Sequence, residues 1–125
     1  MTPQSSRHMP AEMHVEGVLA PDIRDCVAAC LDCYQTCLTT AMHHCLEAGG
    51  EHTEPTHFRL MMACAEICRS AAHFMLLGSD DHARLCAECA RICTACADDC
   101  ERLGGMTACV DACRRCAEHC RTMAQ

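Results

Sequence analysis

Cysteine recurs along this chain at steps of three and four residues, and that spacing restricts the fold more than any other feature. The positions are 26, 30, 33 and 37, then 64 and 68, then 86, 89, 93, 96 and 100, then 109, 113, 116 and 120. Steps of three and four trace one face of an α-helix, the seam that apolar residues normally fill. At about 100° per residue, Cys26, Cys30, Cys33 and Cys37 fall within about 60° of one another. The five from Cys86 to Cys100 fall within about 80°. Fifteen of the 16 Cys therefore share the inward stripes, and only Cys45 sits beside its stripe, near a helix end.

Gly and Pro divide the chain to match. Pro21-Asp22 opens the first segment and Gly49-Gly50 closes it, Pro55 opens the second and Gly78 closes it, and Gly104-Gly105 ends the third. Ser79 is expected to cap the third helix and Thr107 the fourth. Segment interiors are rich in Ala, Leu, Met, Arg and Glu, and no apolar–polar alternation appears. The expectation is an all-α protein, an antiparallel four-helix bundle with a Cys-lined core. Its helices should run over about 21–47, 55–77, 80–103 and 106–123 within a bundle spanning 21–125. Residues 1–20 read as a flexible arm or a short extra helix.

The stripes end in other soft or nitrogen donors. His44 falls at the angle of Cys26, and the second helix continues its stripe through His57, Met61 and Met75. His82 precedes Cys86 by four residues, Met106 precedes Cys109 by three, and Met123 follows Cys120 by three. His8, His14, His43 and His52 are expected to be solvated surface residues.

Composition narrows the function. Beside 16 Cys and 9 Met there are two Phe, one Tyr and no Trp, so no ordinary hydrocarbon core can be assembled. The net charge of −7 lacks the basic footprint of a nucleic-acid binder. No apolar run is read as approaching the ~20 residues of a membrane span. Met1 to Ala20 shows neither a charged region leading into an apolar stretch nor a twin arginine, so a reducing cytoplasm is expected. No phosphate loop, dinucleotide fingerprint or separate nucleophile–base pair is visible, which points away from an enzyme.

Thiols could fill such a core for three reasons. As packing alone they are poor, since Cys buries far less apolar area than Leu. As disulfides they would be ambiguous, because all point inward together. As metal ligands they are soft and select Cu(I), Zn(II) or iron–sulfur clusters. CxxC occurs at Cys30/Cys33, Cys86/Cys89, Cys93/Cys96 and Cys113/Cys116. Zinc, however, prefers discrete sites closed after four ligands and would leave the Met idle. The Cys26-x3-Cys30-x2-Cys33 triad matches a cluster-binding motif, but any helical stripe generates that spacing. Cu(I) accepts two or three thiolates and lets them bridge, and it tolerates imidazole and thioether as weaker donors. Multiple Cu(I) ions therefore explain most of the pattern. An iron–sulfur or zinc protein with helical CxxC sites, or a single-ion copper chaperone, remain the alternatives.

The CxxxCxxCxxxC stripes of the first and fourth helices and CxxCxxxCxxCxxxC of the third resemble the bacterial four-helix-bundle copper storage proteins, the Csp family. The resemblance covers about 21 to 123, nearly the whole chain. It implies a homotetramer of bundles, each holding many Cu(I) ions, and the cytosolic branch of the family. It also implies that the stripe Cys are the core ligands and that His or Met guard an opening. One end would gather His44, Cys45, His57, Met61 and Met106, and the other Met75, His82, His119 and Met123. Copper is expected to enter by the first end, which has more donors. The donor or acceptor protein is unspecified.

Overall fold

A computed structural model describes residues 18–125. The expected arm lies almost wholly outside the described residues, as do His8 and His14. Helix α1 covers Pro21–Thr40 and continues through a wide turn, Ala41–Cys45, into a last turn, Leu46–Ala48. A 3₁₀ turn, Gly50–Thr53, leads into α2 (Pro55–Leu77), followed by α3 (His82–Leu103) and α4 (Thr107–Met123). α1 packs on α2 and α4, and α3 packs on the same two, so the helices run up-down-up-down around one seam.

Local chemistry sets the helix ends. Pro21 and Pro55 occupy first-turn positions where a missing N–H costs nothing. The Glu54 carboxylate accepts the His57 N–H at 3.0 Å and caps α2. At its other end Gly78 takes φ 71°, a left-handed conformation that a side chain would resist. Ser79 N–H then donates to Phe74 O at 3.1 Å and Gly78 N–H to Met75 O, closing a Schellman turn. Gly104 and Gly105, both at positive φ, reverse the chain before α4.

Two capping expectations are corrected. Asp81, not Ser79, occupies the cap of α3, while Ser79 Oγ accepts the Asp81 N–H at 3.1 Å inside the turn. Met106, not Thr107, is the residue before α4. Its side chain is drawn into the core, so the helix begins with Thr107 already inside it.

The wide turn in α1 changes which residues face inward. Leu46 N–H reaches back five residues to Ala41 O, which inserts one residue into the helical count. An unbroken helix would set Cys45 about 80° from Cys37. With the insertion it takes the place residue 44 would hold, about 20° from Cys37. Cys45 is accordingly fully buried and His44 is moved to the rim, which corrects the placement of both.

The buried apolar set consists of Cys and Ala with Met61, Met75, Met106, Val27 and Val110; among the described residues no Leu, Ile or Phe is fully inside. Ile23, Leu38, Phe58, Leu60, Ile67, Leu85 and Ile92 instead pack as an outer collar on the thiol core. α2 is, by length and composition, apolar enough to cross a membrane, which corrects the sequence reading. Its Cys and Met count as apolar, and in the fold His57, Met61, Cys64, Cys68 and Met75 turn inward from it. Surface ion pairs join α4 to its neighbours, Arg114 to Asp98 and Glu101 at 3.0 Å and Arg115 to Asp32 at 2.5 Å. Such exposed pairs add little to stability, because water and salt screen them.

Candidate metal centre

All 16 Cys are free thiols with no exposed surface. Their sulfurs approach to 3.3 Å for Cys37–Cys109, 3.4 Å for Cys37–Cys113 and Cys68–Cys93, and 3.5 Å for Cys30–Cys120. These are thiol contacts, well beyond the ~2.05 Å of a disulfide.

Five groups bring donor atoms within 4.8 Å of one another, and they overlap. Cys26, Cys86 and Cys120 form the first; Cys120 passes into Cys30, Cys89, Cys116 and Cys120. Cys116 then joins Cys33, Cys68 and Cys93, and Cys33 joins Cys37, Cys64 and Cys113. Cys37 and Cys113 finally belong also to the group with Cys96 and Cys109. Cys100 sits at 3.9 Å from Cys109 and 4.0 Å from Cys96. The result is a continuous line of sulfur along the bundle axis. A sulfur common to two groups can bridge two metals, whereas a closed zinc site keeps its four ligands to itself.

Beyond Cys109 the donor type changes. Cys45 Sγ lies 3.6 Å from both Met61 Sδ and Met106 Sδ and 3.8 Å from His57 Nε2. One thiol, two thioethers and an imidazole, from three elements, thus converge at the end formed by the α1–α2 and α3–α4 connections. His57 is 1% exposed and is the one buried polar side chain among the described residues. Its Nδ1 contacts Asp99 Oδ2 at 2.7 Å, and Arg102 Nε donates to Asp99 Oδ1 at 2.9 Å.

The remaining anticipated donors are placed less centrally. His44 is half-buried, with its ring edge-on to His52 at 5.0 Å, and His52 is in turn 6.4 Å from His57. His44 Nε2 and His52 Nδ1 are shielded from solvent without a hydrogen-bond partner. His52 is therefore not the solvated residue expected; the 3₁₀ turn folds it back over the end of the bundle. His43 is exposed. At the opposite end Met75 is buried and Met123 half-buried against the core. His82 has its Nδ1 at 2.8 Å from Ser79 O, occupied by the turn rather than by the thiol line. His119 lies beside Asp22, Asp25 and Met123 in a shallow surface cleft.

Asp99 is a functional candidate absent from the donors anticipated above, since an acid among the charges of α3 reads as an ordinary surface residue. It follows Cys96 by three and precedes Cys100 by one, so it stands on the border of the stripe. That position was the available signal.

The thiols do not share one protonation tendency. Burial pushes Cys45 above the ordinary thiol range. Cys30 and Cys68 are raised, chiefly through their contacts with Cys116, and Cys113 through Cys109. Their neighbours move the other way: Cys89 is lowered to about 3 mainly by Cys116, Cys109 to about 5 by Cys100, and Cys116 to about 7 by Cys120. Some sulfurs of the line are thus favoured as thiolate by the S–H groups around them, and others are held as thiol. Asp99 feels burial most strongly, which raises it, but hydrogen bonds from His57 and Arg102 outweigh this and hold it below the usual carboxylate range.

A bundle whose interior is an unbroken line of thiols, ended by thioether and imidazole, is a soft-metal container rather than an ordinary folded core. The chain belongs to the copper storage protein (Csp) family, which it matches over residues 20–125. It is 57% identical to the Nmul_A1745 protein of Nitrosospira multiformis, whose crystal structure covers 82% of this chain, 94% of its own, with a TM-score of 0.81. The structure of the Cu(I)-bound copper storage protein BsCsp3 superposes with a TM-score of 0.77 at 37% identity, covering 83% of this chain and 99% of that one. A cysteine-rich Bacillus subtilis protein, YhjQ, is 39% identical over 101 residues, 79% of this chain and 93% of its own.

Proposed function

We propose that this protein stores and sequesters many Cu(I) ions on the sulfurs lining its bundle, in the cytoplasm and without catalysing a reaction. The observation that carries the reading is the overlap of the five thiol groups through Cys33, Cys37, Cys113, Cys116 and Cys120. Shared sulfurs let a few-coordinate soft ion repeat along the axis. Sixteen free thiols suit a reducing compartment. A homotetramer, as the family resemblance implies, has exposed Leu31, Leu46, Leu76 and Leu77 available for subunit contacts.

The Cys45, His57, Met61 and Met106 end is the entry site in this reading. Neutral thioether and imidazole hold Cu(I) less firmly than bridging thiolates, so an ion captured there passes inward. Met61→Leu keeps the volume but removes a donor, and volume-conserving swaps cost little stability. Cu(I) uptake by that variant, followed after rapid mixing, should slow several-fold with only a small loss of final capacity. A large loss of capacity would instead make this end a principal store.

Titrating the reduced apo-protein with Cu(I) against a competing chelator tests the whole proposal. Binding should continue to on the order of 15 ions per chain. A stoichiometry near one would indicate a chaperone, and a brown, iron-containing protein as purified would indicate a cluster protein. Each ion that displaces a thiol proton releases it, so apparent affinity falls about tenfold per pH unit for every proton displaced. Because burial raises Cys45, protonation competes there at higher pH than for a free thiol. The same titration at lower pH should therefore show weaker loading.

A further inference from the structure

We propose that Asp99 is a positioning residue for copper transfer: it fixes the His57 tautomer so that the unprotonated Nε2 faces Cys45, Met61 and Met106. This rests on the proposed storage function, and on geometry that the thiol pattern alone does not contain.

His57 and Asp99 come from different helices, α2 and α3, and meet at 2.7 Å between Nδ1 and Oδ2. An ionised carboxylate can only accept, so Nδ1 must carry the hydrogen. In the neutral ring the lone pair then belongs to Nε2, which lies 3.8 Å from Cys45 Sγ. Both rotations that could spoil this are restrained. The His57 ring is 1% exposed, so its packing opposes turning over in place. Arg102 holds the second Asp99 oxygen at 2.9 Å, so the carboxylate cannot turn away without losing that contact. A carboxylate behind an imidazole is the general device by which proteins orient a metal-binding histidine, and its removal typically costs 10–100-fold in metal affinity.

The neighbouring Arg102 makes the test sharp. In Asp99→Asn the shape is preserved, but Arg102, a donor only, still requires an oxygen opposite it. The amide oxygen faces Arg102 and the NH₂ group faces His57 Nδ1. Nδ1 must then accept, which moves the hydrogen to Nε2 and points it at Cys45. Asp99→Ala merely frees the ring to adopt either tautomer. The isosteric variant should therefore be the more damaging one, the reverse of the order for a residue that only fills space.

The experiment combines imidazole ¹H–¹⁵N correlation spectra of the reduced apo-protein with uptake of Cu(I) supplied as its bicinchoninate complex. The wild-type His57 should show Nδ1–H, Asp99→Asn should show Nε2–H, and Asp99→Ala a mixture. Uptake should slow roughly 10–100-fold in Asp99→Asn and less in Asp99→Ala. A wild-type Nε2–H tautomer overturns the proposal whatever the variants do, as does Asp99→Asn loading as fast as, or faster than, Asp99→Ala. A wild-type capacity near one ion overturns the storage function instead and leaves the tautomer result standing.

Discussion

Saturation of the reduced protein with Cu(I) should raise its thermal midpoint by about 20 °C or more, and removal of copper by a chelator should return it. The empty core explains the size of the effect. Its buried side chains are thiols, alanines, three methionines, two valines and His57, with Leu, Ile, Phe and Tyr left outside it, several of them in a half-buried collar. Fully burying a Leu or Phe side chain is worth about 1.5–3 kcal/mol, and this interior forgoes that at almost every seam position. Metal reverses the deficit because the clusters join helices. Cys33, Cys68, Cys93 and Cys116 come one from each of the four, and every other group draws on three. A site held at a hundred times its Kd adds about 2.7 kcal/mol, and each kcal/mol moves the midpoint of a domain this size by roughly 4 °C. Two such sites suffice, and many are available. A shift of only a few degrees at full loading would mean that the ions sit outside the core.

Replacing Cys33, Cys37, Cys113 and Cys116 together by Ala should cut Cu(I) capacity to roughly half or less. Replacing Cys64, Cys68, Cys89 and Cys96 instead should remove only about a quarter, in proportion to the thiols lost. The two variants delete the same number of sulfurs. The second takes one member from each four-thiol group and leaves three, enough for Cu(I). The first removes sulfurs that serve two groups at once, reducing one group to Cys64 alone and two others to pairs, Cys68 with Cys93 and Cys96 with Cys109, each able to hold one ion but with no shared sulfur left to bridge to a second. Ala is preferred to Ser because an unpaired buried hydroxyl costs about 1–3 kcal/mol. Circular dichroism of both variants checks that the helices persist. Equal capacities would show that the thiols act as independent ligands, and the line of bridged sites would have to be abandoned.

Much of this molecule was legible in its residue pattern, and the exceptions share a cause. Steps of three and four placed the stripe Cys on inward faces because the helical period is regular wherever the helix is regular. The one place where α1 widens, Ala41–Cys45, is where periodicity assigned the wrong residue inward, exchanging His44 for Cys45. Nothing in that segment announces the inserted residue; the contacts Cys45 makes with Met61, Met106 and His57 lie on other elements. Ser79 and Thr107 were plausible caps by type, but turn geometry and the inward pull on Met106 chose otherwise. α2 passes for a membrane-crossing length of apolar residues because its thiols and thioethers are hydrophobes as well as ligands, and only the fold shows them turned inward.

Sequence by itself determined the helical architecture, the inward thiol stripes and the soft-metal chemistry, because each depends on a fixed angle per residue and on the identity of the donor atom. Only the tertiary structure decided which sulfurs are shared between clusters, which end collects the mixed donors, and that Asp99 stands behind His57. Those are distances between atoms on different helices, set by crossing and register, and one residue inserted in α1 is enough to change them.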